Sequence, residues 1–595
     1  MRIRTKSHRV TRGAAAVGLA LLVAVGCASA SLAGGTRASL DHATTLYVDI
    51  DSGKPADPKN FNPYGASTTN DGGLSQVLFE PLFEANPLNG KVTPWLGKSM
   101  TTKDRGKTWT LSLQKGITWS DGMPFTAADV IFTIKMIQKY PDLNTPNKFP
   151  GMTLKQVDPQ TVKITLKTPD PRLILEGFSS VLPSKELYIV PQHIWASVKN
   201  PATFTNYDPS KGWPVATGPY KLSNAGVTSF TWTEDPNYWG AKTGFASLPA
   251  PQTIVYEALG PEETRASAMA QNDLDVGASF SIGALQSLTA RNHSVQAWST
   301  AAPYGYSDIC LRSLDFQTEK APWSSPQLRW AVDYAIDRSK VINVAYQGAS
   351  SPALTMLPNY TGLTPYVNAL IKTGVMRKYP VGLTSQARAR KLIEGQGYTM
   401  SGGTYQKDGQ KLSLTISTYQ DPTIESIAQT VAQQLTQVGI SASVNAVAIP
   451  AFIKNLLSGN FQANLFFGAC GSTIDPWQSM DAFNVSHYVQ PSASAAGFYS
   501  NTFRWNTSAA KQYSDVVDKI GKLGVNAPAI QPLFVKAMKL FYSELPSIPL
   551  VQNPLINPVN STNWTGWPTS KNPYIEPEFA GPAMVVVLHR IKSAH

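Results

Sequence analysis

The stretch "WTLSLQKGITWSDGMPFTAADVIFTI", residues 109–134, is the most informative segment of the chain, and its first half has the pattern of a strand and a turn. Trp109, Leu111 and Leu113 alternate with polar residues, as in a strand that buries one face. Asp121–Gly122 supplies a residue pair that tight turns favour. Acidic and aromatic residues near a turn could belong to an active site, but the strand and the turn explain them without any chemistry.

The second half of the stretch predicts the start of a helix. Thr126 is followed three residues later by Asp129, which resembles a capping box, in which each side chain bonds the backbone of the other residue. Val130, Ile134 and Ile137 are spaced i, i+4 and i+7, so they lie on one face of that helix. We therefore expect a helix that begins after Thr126 and buries this apolar face.

The rest of the chain mixes both types of secondary structure. Strand and helix patterns alternate in its second half, and this order predicts an α/β unit with a right-handed crossover. The predicted strands are 44–50, 411–419 and 441–449, and the predicted helices are 327–348, 385–398 and 424–440.

The N-terminus predicts export. Residues 1–26 form a lipoprotein signal peptide, with five basic residues followed by an apolar run that is too short for a permanent membrane span. "AVGC" resembles a bacterial lipobox, so we expect a lipid on Cys27 and a tether over 27–43. The alternative is cleavage after a small residue in 28–30. A lipid would anchor the chain to the cell membrane on its extracytoplasmic face, in the periplasm or at the cell surface.

Charge and cysteine content limit the partners. The 595 residues carry a formal charge of +12, and without the signal 46 basic residues face 39 acidic ones, a net charge of +7. No dense basic run remains, so we expect no nucleic-acid binding. In an oxidising compartment Cys310 and Cys470 could form a disulfide, but two buried, inert thiols are the interpretation that we favour.

Motifs for catalysis are missing from the sequence. The seven histidines form no zinc-binding pair, and no G-x-S-x-G segment predicts a hydrolase. Asp333 and Asp337 are spaced i, i+4 beside Arg329 and Arg338, which predicts a surface ion-pair network rather than acid–base catalysis. We therefore expect no metal, no cofactor and no enzymatic activity, although a pair of opposed carboxylates in a cleft stays possible from sequence alone.

A series of short motifs in chain order then suggests a family. Besides 109–134, they are "FEPLFEANP" (79–87), "PWLGKSM" (94–100), "ATGPYKL" (216–222), "DPNYWG" (235–240), "NDLDV" (272–276), "QLRWAVDYAIDRSKVI" (327–342), "ARKLIEGQGY" (389–398), "IDPW" (474–477) and "ELPSIPLV" (544–551). Together they resemble the extracellular solute-binding proteins of ABC importers, family 5, the dipeptide/oligopeptide-binding type. Gln114 and the strand "CLRSLDF" (310–316) depart from the family pattern.

The resemblance implies an α/β fold of the periplasmic-binding-protein type II-like class. Two α/β lobes, joined by paired crossover strands, would surround a ligand cleft, and the N-terminal lobe would carry an extra subdomain. The implied boundaries are lobe I at 44–70, 213–303 and 547–595, the extra subdomain at 71–212, and lobe II at 304–546.

The resemblance also implies a function. The chain would capture an oligopeptide or a related solute as its lobes close, and deliver it to ABC permease subunits in the membrane for ATP-driven import. It would act as a monomer and catalyse nothing. Outside the family, the remote alternatives are a secreted hydrolase and a ligand sensor.

Within the family the ligand stays open between an oligopeptide and a β-linked oligosaccharide. Relatives that bind peptides hold the α-amino group with an Asp, and Ser472 occupies that position here, with Asp475 three residues further on. The aromatic residues of this region resemble the oligosaccharide-binding branch of the family. The candidate ligand-binding residues are Trp477, Asp475, Ser472, Trp323, Tyr64 and Trp505.

Overall fold

The computed structural model describes residues 41–50, 57–65, 72–145, 148–180, 187–488 and 501–595. The predicted signal peptide, Cys27 and most of the tether lie outside these residues. Residues 41–595 form one compact unit. In the part of the chain that the structure describes, every helix is too short or too polar to cross a membrane.

The predicted strand at 44–50 belongs to a four-stranded mixed sheet. Its strands, in spatial order, are Thr45–Asp49, Thr253–Glu257, Ser229–Glu234 and Tyr220–Ala225. The first two strands run parallel, and the others pair antiparallel. Residues of Thr45–Asp49 are buried on both faces of the sheet, because Leu46 packs into one hydrophobic core and Tyr47 into another.

The 109–134 stretch lies in a second, fully antiparallel sheet and the helix beside it. This sheet has the strands Gly97–Thr102, Thr108–Leu113, Thr161–Thr165 and Thr153–Asp158 in spatial order. Helix Ala127–Lys139 begins with the predicted capping box, since the Asp129 carboxylate accepts a hydrogen bond from the Thr126 backbone N–H at 2.8 Å. Its apolar face is buried as expected. The strand, turn and helix predictions are confirmed.

A third sheet organises the second half of the chain. Its five strands, in spatial order, are Ser441–Val447, Ser413–Tyr419, Ala463–Phe466, Arg312–Phe316 and Ser547–Val551. Helix Pro422–Gln437 connects the first two, which pair in parallel over seven residues. The α/β unit predicted for 411–449 is therefore confirmed, and so is the helix at 385–398, which spans Gln386–Gly395.

The single helix predicted at 327–348 is wrong. The structure has two helices, Pro326–Ala335 and Arg338–Tyr346, separated by two extended residues, Ile336 and Asp337. The break has a local cause, because the Asp337 carboxylate accepts hydrogen bonds from the backbone N–H groups of Ser339 and Lys340 and so caps the second helix.

The surface ion-pair network predicted for this region is also wrong. Asp333 and Arg338 are buried and form an ion pair at 2.7 Å. Arg329 is buried as well, and its guanidinium donates to the main-chain carbonyl oxygens of Trp323 and Glu544. The helix face that carries these charged side chains is turned toward the core. Arg338 therefore pairs with Asp333, and Arg329 bonds carbonyl oxygens of neighbouring segments.

Cys310 and Cys470 form a disulfide across 160 residues. The favoured prediction of two separate buried thiols is therefore wrong. The physical reason is that the segment before Arg312–Phe316 and the segment after Ala463–Phe466 leave neighbouring antiparallel strands side by side, which places the two Cα atoms 4.4 Å apart.

Two large cores hold the molecule together. The first core contains residues of the N-terminal third and the C-terminal segment, among them Trp109, Val130, Trp232, Trp564 and Met584. The second core contains residues of the central sheet and its helices, among them Leu314, Trp323, Ile427, Leu465 and Phe541.

Two short antiparallel pairings mark the crossover between the lobes. Tyr306–Ser307 pairs with Pro554–Leu555, next to the pairing of Arg312–Phe316 with Ser547–Val551. The chain thus passes into the central sheet and returns from it by neighbouring segments, as the two-lobed α/β fold requires. We call the pair Tyr306–Ser307 and Pro554–Leu555 the hinge strands.

The other described elements complete the layers. The remaining α-helices are Leu173–Gly177, Gln192–Trp195, Trp239–Thr243, Glu262–Ala270, Ile282–Arg291, Thr364–Lys372, Val375–Lys378, Ile449–Ser458, Trp477–Asp481, Ser508–Gly521, Ile530–Glu544 and Ala583–Leu588. The remaining strands are Phe83–Ala85, Val92–Pro94, Val295–Gln296, Thr399–Ser401, Thr404–Lys407, Gln410–Lys411, Val559–Asn560, Trp564–Thr565 and Lys592–Ser593.

Candidate functional site

The loop 468–476 joins strand Ala463–Phe466 to helix Trp477–Asp481 and lies where the two cores approach each other. The disulfide holds one end of this loop to the segment before the central strand, and the Gly471 N–H donates to the Ile309 carbonyl oxygen at 3.1 Å. A β-carbon at Gly90, in the N-terminal third, would lie 2.3 Å from the Ile474 Cδ1 atom. The loop is therefore clamped on one side and in close contact with the other part of the molecule.

Ser472 forms two hydrogen bonds that join this loop to the helix that follows it. Its hydroxyl accepts a hydrogen bond from the Ser479 backbone N–H at 2.9 Å, and its own N–H donates to the Ser479 hydroxyl at 3.4 Å. Both serines are buried. The position that the resemblance assigns to an amine-binding carboxylate thus carries a hydroxyl that closes the loop onto the following helix.

Asp475 is paired with an arginine that the sequence analysis did not identify. The Asp475 carboxylate accepts hydrogen bonds from both terminal nitrogens of Arg172, at 2.8 and 3.0 Å. The two residues are 3% and 5% exposed and 303 residues apart. Since Arg172 adjoins the first core and Asp475 adjoins the second, we call them the interlobe pair.

Trp477 extends the same contact. The Arg172 guanidinium lies 5.4 Å from the centre of the Trp477 ring. A β-carbon at Gly521 would be 2.6 Å from the Trp477 indole nitrogen, so this helix position approaches the ring closely. That nitrogen is buried without a hydrogen-bond partner among the described residues. Trp477 and Asp475, two of the predicted ligand-binding residues, are therefore brought together.

The other three predicted residues lie elsewhere, inside the cores. The Trp323 indole donates to the Ser413 carbonyl oxygen at 3.0 Å, and the Trp505 indole donates to the Glu544 carboxylate. The Tyr64 hydroxyl donates to the Tyr188 carbonyl oxygen. Each side chain is at most 1% exposed and is part of the packing. Their role in binding stays a prediction.

A second polar group at the boundary was also missed. We call it the hinge cluster: Tyr306, Asp308, Tyr360, Glu576 and Glu578. The Tyr306 hydroxyl donates to Glu578 at 2.7 Å. The Tyr360 hydroxyl lies 2.7 Å from the Ser307 carbonyl oxygen and 3.1 Å from the Glu576 carboxylate. Residues from three distant parts of the chain thus converge beside the hinge strands.

The electrostatics of this cluster favour protonated carboxyl groups. Burial raises the pKa of Glu576 to about 8, and the charges of Glu578 and Asp308 act in the same direction. Burial also raises the pKa of Asp308, although the Arg312 guanidinium opposes this change. Arg312 lies 3.7 Å from Asp308. Within the described ranges no group of three or more metal-binding side chains could hold a metal ion.

Sequence signals for these residues were weak. Arg172 and the hinge cluster lie outside the short motifs, and the contacts that define them join residues more than 200 positions apart. Glu80, which was quoted within a motif, has a structural role instead: its buried carboxylate accepts hydrogen bonds from Trp95, Tyr238 and Trp239.

Comparison with known proteins gives one family. The model of bacterial extracellular solute-binding proteins, family 5, matches residues 91–489. The glutathione-binding protein of Salmonella choleraesuis is 27% identical over 517 residues, which cover 85% of this chain and 89% of that protein.

Two crystal structures of one bacterial protein share the fold. The oligopeptide-binding protein of Thermotoga maritima superposes with a TM-score of 0.79 at 24% identity, over 93% of this chain and all of that one. Its mannohexaose-bound structure gives a TM-score of 0.75, over 94% of this chain and all of that one.

Proposed function

The chain belongs to family 5 of the bacterial extracellular solute-binding proteins, and on that premise we propose that it captures an oligopeptide or a related solute by lobe closure and delivers it to a membrane permease for ATP-driven import. Members of this family are the solute-binding components of ABC importers, of the peptide type, and are not enzymes. The permease subunits and a monomeric state are part of the proposal.

The observation that carries the proposal is the polar boundary between the two cores. The interlobe pair joins residues that adjoin the two cores, and the hinge strands lie where the chain passes into the central sheet and returns from it. A two-lobed protein that binds a solute between its lobes needs one connection that bends and another contact that forms on closure. The hinge strands support the first of these roles, and the interlobe pair supports the second.

The proposed domain boundaries follow the sheets. Lobe I comprises 44–70, 213–303 and 547–595, with the extra subdomain at 71–212, and lobe II comprises 304–546. The four-stranded mixed sheet falls within lobe I, the antiparallel sheet within the subdomain, and four of the five central strands within lobe II. The fifth, Ser547–Val551, pairs with Arg312–Phe316 in the same sheet although it is assigned to lobe I, so here the proposed boundary departs from the sheet.

Export and anchoring belong to the proposal too. The signal over 1–26 and a lipid on Cys27 would hold the protein on the extracytoplasmic face of the cell membrane. Their support is the sequence pattern and the extracellular nature of the family.

A β-linked oligosaccharide is a second candidate ligand, because the loop 468–476 has no free carboxylate for a peptide amine. Ser472 is bonded to Ser479, and Asp475 is neutralised by Arg172. Trp477 offers part of an aromatic face at the same place. The mannohexaose-bound structure of the Thermotoga maritima protein supports this candidate.

A thermal-shift screen separates the candidates. The purified chain is melted with di- to hexapeptides and, in parallel, with cello-, manno- and xylo-oligosaccharides. A solute that binds only the native state raises the melting temperature by mass action. A rise with peptides supports the first candidate, and a rise with sugars alone supports the second. If neither panel raises the melting temperature, the proposed function is contradicted.

A further inference from the structure

The hinge cluster contains one buried polar atom that has no hydrogen-bond partner among the described residues. The Glu576 carboxylate is 3% exposed, and only one of its oxygens is bonded, to Tyr360. The other oxygen, Oε1, is buried, and no described part of the chain offers it a hydrogen bond. The neighbouring Arg312 is 8% exposed; its Nε atom has no hydrogen bond among the described residues, and its Nη1 atom forms an ion pair with Asp308 at 3.7 Å. Because an unsatisfied buried polar group costs stability, a partner from outside the chain would stabilise the Glu576 oxygen.

The surroundings determine which chemistry Glu576 can accept. Asp308, Glu576 and Glu578 lie together, and Arg312 is the cation that acts on Asp308. The Tyr306 hydroxyl donates to Glu578, and the Tyr360 hydroxyl lies between the Ser307 carbonyl oxygen and Glu576, at 2.7 and 3.1 Å. What the free oxygen lacks is a hydrogen-bond donor, and the acidic surroundings favour a donor that carries positive charge.

Space for a ligand group adjoins the cluster. An open pocket of about 490 Å³ lies against the hinge strands, and Tyr306 and Asn553 line it. Tyr306 donates to Glu578, and the Asn553 amide donates to Asp308 at 2.8 Å. The pocket therefore reaches the two side chains that bond Glu578 and Asp308, while Glu576 itself is not among its lining residues.

We propose that the hinge cluster is the subsite for the ammonium group of the ligand, with the Glu576 carboxylate as its direct partner. This inference rests on the proposed function, and it gives a peptide-class solute an anchor that the loop 468–476 does not provide. An ammonium group carries three donors, so it can bond Glu576 and still reach a second oxygen of the cluster.

Proton release follows from the arrangement. In the empty site Glu576 holds its proton at neutral pH, because burial and the charges of Glu578 and Asp308 raise its pKa to about 8. A bound ammonium favours the ionised carboxylate and so lowers that pKa. Binding then releases a proton, and affinity rises from pH 6 to pH 8. Tyr306 and Tyr360 also face the cluster, and burial raises the pKa of both hydroxyls well above its usual value, so they stay neutral over this range.

The test uses the full mature chain and di- to hexapeptides, each with a free and with an N-acetylated amino terminus. Calorimetry at pH 6 and pH 8, in buffers of different ionisation enthalpy, measures affinity and released protons. The variants are Glu576→Gln, Tyr360→Phe and the matched control Glu263→Gln, which changes an exposed glutamate. We expect at least tenfold weaker binding after N-acetylation or with Glu576→Gln, a smaller loss with Tyr360→Phe, and no change with the control.

The outcomes separate this inference from the function on which it rests. Peptide binding that is indifferent to N-acetylation and to Glu576→Gln overturns the ammonium subsite and leaves the transport function standing. Binding of oligosaccharides alone has the same consequence. Failure of every solute in both panels contradicts the subsite and the function together. If Glu576→Gln does not fold, the effect of N-acetylation and the proton release, both measured with the wild-type chain, still test the ammonium subsite.

Discussion

The Arg172 guanidinium and the Asp475 carboxylate form two hydrogen bonds across the boundary between the cores, although 303 residues separate them. Such a two-pronged ion pair has defined geometry and excludes water, since both residues are buried. It also removes the charge that Asp475 could have offered to a ligand. The pair therefore affects both how the lobes meet and what the loop 468–476 can bind.

Breaking this pair on one side should destabilise the protein more than removing both charges. Arg172→Met leaves Asp475 buried without its cation, and loss of one partner of a buried pair costs about 3–5 kcal/mol. The double variant Arg172→Met with Asp475→Asn should lose less than the sum of the two single variants. Urea denaturation measures the free energies of unfolding, with the exposed Arg291→Met as control. Strictly additive losses would show that the pair is not coupled.

Glu80 should be essential for folding of the N-terminal third rather than for binding. Its carboxylate accepts hydrogen bonds from Trp95, Tyr238 and Trp239, and an amide at this position would turn an NH₂ group toward one of these donors. We expect Glu80→Gln to cost about 1–3 kcal/mol in the free energy of unfolding. Trp95→Phe, which removes one donor, is the milder comparison. An unchanged stability of Glu80→Gln would refute this assignment.

Loss of the disulfide should lower stability clearly. Cys310→Ser with Cys470→Ser frees a long loop in the unfolded chain, and removing such a link costs about 2–5 kcal/mol. Reduction of the wild-type chain should have the same effect on its melting temperature. Thiol titration of the denatured, unreduced chain provides the check, because Cys310 and Cys470 should not react. Two reactive thiols from these positions would contradict the structure.

The melting temperature should fall as the pH rises from about 5.5 to 8.5. Burial raises the pKa of Glu84 and Glu576 to about 8, and of Asp275 and Asp315 to about 7. Their contribution is complete below their unfolded pKa values, near 4, and is lost as the pH rises through 7 to 8.

A histidine opposes this trend over part of the range. Burial lowers the pKa of His589 to about 4, so its contribution is present above pH 6.5 and is lost as the pH falls toward 4. One histidine does not offset four carboxyl groups. Melting curves of the wild-type chain and of Asp315→Asn test the prediction, since the variant should show a shallower decrease. A melting temperature that rises over this range would be incompatible with it.

The sequence predicted local structure well where a residue's neighbours in the chain determine it. The capping box at Thr126 and the parallel unit over 411–449 depend on contacts within one element or between consecutive elements. The motif residue Glu80 was visible too, but its role was not, because its three donors come from two segments distant from it in the chain.

The site was harder to predict, because its contacts join residues that are far apart in the chain. Periodicity does not report which face of a helix turns inward, so the buried Asp333–Arg338 pair looked like a surface network. Trp323 and Trp505 were predicted to contact a ligand because they are aromatic, but tertiary packing buries both side chains. Arg172 and Glu576 have no local signal at all, since their partners lie in distant parts of the chain.

Small-angle X-ray scattering of the mature chain, with and without a saturating peptide chosen from the thermal-shift screen, tests the central claim most directly. At a ligand concentration of one hundred times Kd, such a peptide should raise the melting temperature by about 2 °C. Our account predicts that the radius of gyration falls when this peptide is added, because the lobes close on it. A radius of gyration that is unchanged at saturation would contradict capture by lobe closure.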